Sequence, residues 1–330
     1  MKTIDIVCPV FREEATIERF HGALVDATAG LCNDFALRFF YVVDPSADRS
    51  EELLQRIAER DERVAVIVMS RRFGHQAALT AGFDAATGDA VVMLDSDLQH
   101  PPSLIPTLVE HWQAGAEIVQ TLRQDGDTIS PGKRWTSALF YRLFQKSSHV
   151  QINSGAADFR LLSRRVADIF RVQLREHNPF YRGLVTWIGY KIIYVPFVPA
   201  KRQGGTSNYS LSSLTTLALN GICSFSKLPL RVCVVLGFVL ALLSLVGGAF
   251  LVLDYFLGTA VVPGWATLVA LNCFGISINL FFLGVLGEYI GLIFDEVKDR
   301  PRYLVARTYG NVRETQVGTA VPDVLEKQSR

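Results

Sequence analysis

The chain has 330 residues, a formal net charge of +1 and a mean hydropathy of +0.24. That length accommodates one large domain plus an appendage. Near-neutral charge excludes general nucleic-acid binding, which needs a basic surface to neutralise phosphates.

Residues 4–10, IDIVCPV, are an apolar run rich in β-branched residues and read as a buried strand. No cleavable leader is expected before it, because the chain enters this strand directly. A helix is predicted over 14–29, a strand over 37–43, a helix over 50–60, a strand over 64–70, a helix over 76–86 and a strand over 90–95. Strands and helices alternating at this spacing predict a mostly parallel α/β sheet. Such sheets bind ligands beyond the carboxyl ends of their strands. The polar groups expected there are Glu13 and Glu14, Asp44 and Asp48, Arg71 and Arg72, and Asp95 and Asp97.

Residues 133–146, KRWTSALFYRLFQK, place Trp135, Leu139 and Leu143 at helical spacing, with Phe140 and Phe144 alongside and basic residues around them. This suits either a membrane surface or a helix packed on the sheet, and the nearby apolar spans favour the membrane. Residues 211–231 are expected to form a juxtamembrane helix.

The second half changes character. Val232 to Leu253 and Ala266 to Gly287 are each uncharged for 22 residues. At about 1.5 Å per residue, each spans roughly 33 Å, enough for a bilayer core of about 30 Å. Spans are expected over 232–257 and 265–294. The connector 258–264 has no Lys or Arg, whereas Lys227, Arg231, Lys298, Arg300, Arg302 and Arg307 flank the outer ends. The positive-inside rule then predicts a multi-pass protein of the inner (plasma) membrane. The preceding domain (1–210), the 295–330 tail and both termini would be cytoplasmic. The other reading is a helical hairpin buried in a soluble fold. The five cysteines form no CxxC pair and read as ordinary small residues.

Asp95-Ser96-Asp97 ends the predicted fourth strand. Two carboxylates there offer hard oxygen ligands to a divalent cation that bridges phosphates. The bland alternative is a solvated acidic turn, and the neighbouring strand-end carboxylates favour the metal. His75 and His100 are expected only to pack or cap.

Eight segments then occur in order: CPVFREE (8–14), VDPSADRS (43–50), SRRFGHQAALTAGFDAATGD (70–89), VMLDSDLQHPP (92–102), ADFRLLSRRV (157–166), YRGLVTWIGY (181–190), RQGGTSNYSL (202–211) and GEYIGLIFDEVKDRPRY (287–303). Through them the chain resembles family 2 glycosyltransferases of the polyprenyl-phosphate sugar transferase type. The resemblance implies a GT-A fold, a nucleotide-sugar donor, Mg²⁺ or Mn²⁺, a polyprenyl (undecaprenyl) phosphate acceptor and a possible homo-oligomer. It places Pro9, Phe11, Glu13 and Asp44 at the donor base and ribose. Asp95, Asp97 and Gln99 match the metal and diphosphate positions. Arg123 and Arg134 match the acceptor-phosphate positions, Arg202 the donor-phosphate loop, and Asp158 the nominal base. Two departures stand out. Val43-Asp44-Pro45 keeps one aspartate of a usual pair, and Asn208 replaces a common lysine. The implied reaction is inverting transfer of one sugar, with UDP-glucose the favoured donor. A processive polysaccharide synthase is the alternative, and two spans are poor material for its channel. A non-catalytic membrane scaffold is a third reading, opposed by the intact DxD and Arg202.

Overall fold

The computed structural model describes residues 1–124, 153, 155–177, 179–199, 226–257 and 264–312. They fall into two compact units. The first comprises the described residues up to 199 together with 300–312, and the second those over 226–299.

The first unit is built on an eight-stranded sheet. Its strands are β1 (Lys2–Val10), β2 (Phe35–Val43), β3 (Val64–Met69), β4 (Ala90–Met93), β5 (Ile118–Arg123), β6 (Ala156–Ser163), β7 (Ile192–Phe197) and β8 (Val305–Gly310). They lie in the order β7-β5-β6-β4-β1-β2-β3-β8. β1, β2, β3 and β4 run parallel, β6 is antiparallel to both β4 and β5, and β7 is parallel to β5. The carboxyl ends of β1–β5 and β7 therefore share one edge of the sheet, and β6 begins there. The central strands are covered on both faces, so they read as unbroken apolar runs rather than alternating ones. Ile4, Ile6, Val7 and Cys8 of β1 are all fully buried.

Helices α1 (Ile17–Thr28), α2 (Ser50–Arg60), α3 (His75–Ala85) and α4 (Ile105–Gln113) follow the first four strands. α1 buries Ile17, Phe20, Leu24 and Thr28, three or four residues apart, which is one helical stripe. α3 buries most of its length and meets the sheet through small residues. A Cβ at Gly82 would lie 2.1 Å from Val7 Cγ1, so only glycine allows this approach. Short helices α5 (Arg164–Asp168) and α6 (Tyr181–Trp187) come after β6.

The elements predicted up to residue 95 are present, with ends shifted by at most three residues. The sequence reading named no strand beyond residue 294. Yet β8 pairs antiparallel with β3, from Ala65↔Gly310 to Met69↔Val305. The approach to β8 is pinned by Tyr303, whose hydroxyl donates to Asp84 Oδ2 at 2.8 Å.

The second unit holds α7 (Leu228–Leu257) and α8 (Trp265–Lys298). The Tyr289 hydroxyl donates to the Ser226 carbonyl at 2.7 Å, so the start of α7 lies beside the late turns of α8, as in a hairpin. Both helices are long and apolar enough to cross a membrane, and their apolar windows are wholly unburied. Phe238, Leu245, Leu280 and Phe281 are all more than 60% exposed. That exposure is opposite to the packing of a soluble core hairpin. Asn272, Ser277 and Asn279 donate to carbonyls four residues back, which satisfies polar groups within an apolar helix. The expected interfacial helix 133–146 and most of the expected juxtamembrane helix 211–231 lie outside the described residues.

Candidate active site

The carboxyl edge of the sheet gathers most of the residues singled out from the sequence. After β1 the chain turns sharply at Arg12 (φ 60°), and after β4 at Leu98 (φ 61°). Neither is glycine, and each left-handed residue costs about 1–2 kcal/mol. The two adjacent strands thus end in strained turns flanking one site.

Between those turns, Ser96 Oγ donates to the Pro9 carbonyl at 2.9 Å, joining the β4 and β1 ends. The Asp44 carboxylate is buried and accepts the backbone N–H groups of Phe73 (2.8 Å) and Gly74 (3.0 Å). The single aspartate left at this position thus shapes the loop that opens α3. Arg72 of that loop stacks its guanidinium on the Phe11 ring at 4.2 Å. Glu13 starts α1: its carbonyl accepts Ile17 N–H at 2.8 Å and its carboxylate accepts Thr16 Oγ1 at 2.5 Å.

The DxD pair is held by its neighbours. Asp97 Oδ1 accepts the Gln99 backbone N–H at 3.0 Å, and Oδ2 accepts Gln99 Nε2 at 2.8 Å. Asp95 Oδ1 lies 2.8 Å from His75 Nε2, at the first residue of α3. His75 was expected only to pack or cap, and it instead pairs with the first DxD carboxylate. Burial alone would lower its pKa, but the Asp95 carboxylate outweighs that and raises it. His100 does pack and cap. Its ring lies against Phe159 and Phe197, and Nδ1 accepts the Asp95 backbone N–H at 3.2 Å.

Asp158 enters from β6. The β4–β6 register pairs Met93 with Arg160, and continued two residues it sets Asp158 opposite Asp95. The carboxylate takes Arg160 Nη2 at 2.6 Å and Arg182 Nη2 at 2.6 Å, with Arg182 Nε at 3.1 Å. Burial would raise its pKa, but the Arg182 and Arg160 guanidiniums overcome this and hold it well below the carboxylate range. Arg160 is completely buried and also donates to the Tyr181 and Ala157 carbonyls. Sequence reasoning missed Arg160, Arg182 and the His75 pairing. The first lies in ADFRLLSRRV and the second in YRGLVTWIGY, but spacing alone does not join them. Arg123 stands exposed at the carboxyl end of β5, on the same edge. Arg134 and Arg202 lie outside the described residues.

The arrangement suits a divalent cation held by few protein ligands. Among the described residues, no three His, Cys, Asp or Glu side chains form a ligand cluster. Asp95 and Asp97 nevertheless offer partly exposed carboxylate oxygens, with the Gln99 amide beside them. A cation that completes its shell with water and phosphate oxygens needs no closed protein cage.

The model of the family described as "Glycosyl transferase family 2" matches residues 5–170. The uncharacterized glycosyltransferase YkcC of Bacillus subtilis (strain 168) is 40% identical over 310 residues, covering 92% of this chain and 94% of that protein. The SfII prophage-derived bactoprenol glucosyl transferase of Shigella flexneri is 38% identical over 306 residues, 93% of this chain and 98% of that protein. Among solved structures, mannosyltransferase PcManGT from Pyrobaculum calidifontis, in complex with GDP-Man and Mn²⁺, is 16% identical. It covers 90% of this chain and 86% of its own, with a TM-score of 0.46.

Proposed function

The chain belongs to glycosyl transferase family 2, and from that premise we propose that it moves one sugar from a nucleotide-sugar to polyprenyl (undecaprenyl) phosphate at the cytoplasmic face of the membrane. The observation that carries this is the 38% identity, over 93% of the chain, to a protein described as a bactoprenol glucosyl transferase. The glucosyl in that relative's description supports glucose as the sugar, and UDP-glucose is the donor proposed. Two long apolar helices suit an acceptor whose chain stays in the bilayer.

In this reading Pro9, Phe11, Glu13 and Asp44 frame the nucleoside, with Asp44 acting through the Phe73–Gly74 loop that it anchors. Asp95, Asp97 and Gln99 would hold Mg²⁺ or Mn²⁺. When bound, the cation would supply charge neutralisation to the departing nucleotide diphosphate. Arg202 adds a further positive charge to the leaving group. Arg123 and Arg134 receive the acceptor phosphate, because guanidinium forks match phosphate oxygens.

The nucleophile is a phosphate oxygen. A phosphate monoester has a second pKa near about 6, so this oxygen is already ionised at neutral pH. A bond forms from it to the anomeric carbon as the bond to the nucleotide diphosphate breaks. No proton has to move, and single in-line displacement inverts the anomeric centre. Asp158 serves this step through its charge and its hold on Arg182, rather than as a base.

The hairpin reading of the membrane segment is supported by β8. Residues that follow α8 join the same sheet as residues that precede α7, so the chain crosses an even number of times. The testing experiment incubates purified protein with labelled nucleotide sugars and undecaprenyl phosphate. One sugar per lipid is the expected product. A polymer would point to a processive synthase, and no product from any donor would point to a non-catalytic scaffold.

A further inference from the structure

We propose that His75 is a positioning residue of the cation site: its imidazole holds one oxygen of Asp95, so that the other oxygen is presented to the metal. The inference rests on the glycosyltransferase reading and deepens it, since it gives a role to a residue outside the DxD motif.

The two oxygens of Asp95 have unlike surroundings. Oδ1 lies 2.8 Å from His75 Nε2. An ionised carboxylate only accepts hydrogen bonds, so the imidazole donates from Nε2, whether the ring is neutral or charged. Oδ2 has His100 Nδ1 at 3.6 Å, beyond hydrogen-bonding distance. That nitrogen accepts the Asp95 backbone N–H, so it has no proton to give to the carboxylate. The two histidines therefore act differently on one residue. His75 engages Oδ1, and His100 fixes the backbone. A hard cation takes oxygen ligands, and Oδ2 is the oxygen this arrangement leaves to it.

Structural need does not account for the His75 contact. α3 buries its residues from Ala78 onward, whereas the side chains of His75 and Asp95 are 35% and 31% exposed. A pair so exposed contributes little to stability. The surroundings of His75 serve its position instead. The two residues before it, Phe73 and Gly74, give their N–H groups to the buried Asp44 carboxylate, and Gly74 takes the positive φ of 95° that leads the chain into α3. His75 thus follows directly on an anchored backbone. Asp95 also needs holding. The strand register sets it opposite Asp158, whose carboxylate binds the guanidiniums of Arg160 and Arg182. Cations on that side attract the Asp95 carboxylate, and a hydrogen bond at Oδ1 opposes its rotation towards them. Outer partners of this kind orient carboxylate ligands and tune metal affinity.

The test compares His75→Phe, His75→Gln and His75→Asn with wild type. Mn²⁺ binding in the presence of UDP is followed by electron paramagnetic resonance, and thermal melts check the fold. His75→Phe keeps a ring without a donor. His75→Gln places an amide N–H near the Nε2 position, and His75→Asn is too short to do so. His75→Phe should weaken Mn²⁺ binding by about ten- to a hundredfold at a nearly unchanged melting temperature. His75→Gln should recover most of that loss, and His75→Asn little of it. In transfer assays with undecaprenyl phosphate, added Mn²⁺ should restore His75→Phe, which a collapsed site would not allow. The proposal is overturned if His75→Phe binds Mn²⁺ as wild type does, or if the Gln and Asn variants lose affinity equally. Nitrogen hyperfine coupling on Mn²⁺ that disappears in His75→Phe would also overturn it, by making His75 a ligand. If His75→Phe does not fold, the Gln and Asn variants decide. Wild type that binds no Mn²⁺ would overturn the proposal together with the metal assignment. Wild type that transfers nothing from any donor would instead sink the underlying function, and the Mn²⁺ titration would still decide the role of His75.

Discussion

Asp97 has both carboxylate oxygens engaged by Gln99, so replacing it with asparagine removes a charge while keeping the turn's shape. Asp97→Asn should therefore leave the melting temperature nearly unchanged and lower transfer by at least about a hundredfold, the scale of losing one preorganised electrostatic partner. EDTA should inhibit the wild type, with Mn²⁺ or Mg²⁺ restoring it. Full turnover in chelator would refute the metal assignment. Asp158 makes a second prediction, this time about acid. Its pKa in the folded protein is held below the ordinary value of 3.8. Its contribution to stability is thus present above that value and is lost as pH falls through the folded-state pKa. Asp158→Asn should be clearly less stable than wild type at pH 7, because Arg160 is left buried without its anion. That gap should narrow below about pH 4. Thermal melts of the two proteins from pH 7 to pH 3 would show it, and a constant gap would refute it.

Helix α3 connects several of these residues. His75 at its start meets Asp95, Thr80 in its middle meets Tyr181, and Asp84 near its end takes both Arg175 and the Tyr303 hydroxyl. β8 completes the sheet beside β3, which would otherwise present an open edge for unwanted pairing. Gly310 closes β8 with φ 76°, and a Cβ there would lie 2.2 Å from the Val64 carbonyl oxygen. Gly115 also has positive φ (97°), but nothing lies within 4 Å of its Cβ position. Gly310→Ala should therefore destabilise by about 2–3 kcal/mol, against about 1 kcal/mol of backbone strain for Gly115→Ala. Differential scanning fluorimetry of the two variants in detergent would compare them. Equal shifts would mean that β8 yields easily.

On the scale of the molecule, the proposed hairpin makes a prediction about the two ends of the apolar segment. A reporter after Arg330 and one within 258–264 should report opposite sides, with the former cytoplasmic; two reporters on one side would exclude the hairpin. The sequence by itself determined the α/β order through residue 95, the DxD at a strand end and the two apolar spans. Each of these is a local signal: an apolar run, a turn, an uncharged stretch of fixed length. Only the tertiary structure decided what joins across the chain. β8 is a short strand of mixed polarity, VARTYG, on a sheet edge, and little in its pattern distinguishes it from a tail. His75 and Asp95 are 20 residues apart, and Asp158 and Arg182 are 24 apart. The first pairing joins the start of α3 to the turn after β4. The second depends on the antiparallel strand β6, placed between β4 and β5, and on α6 after it. Such contacts are set by sheet register and packing, which no single stretch of sequence carries.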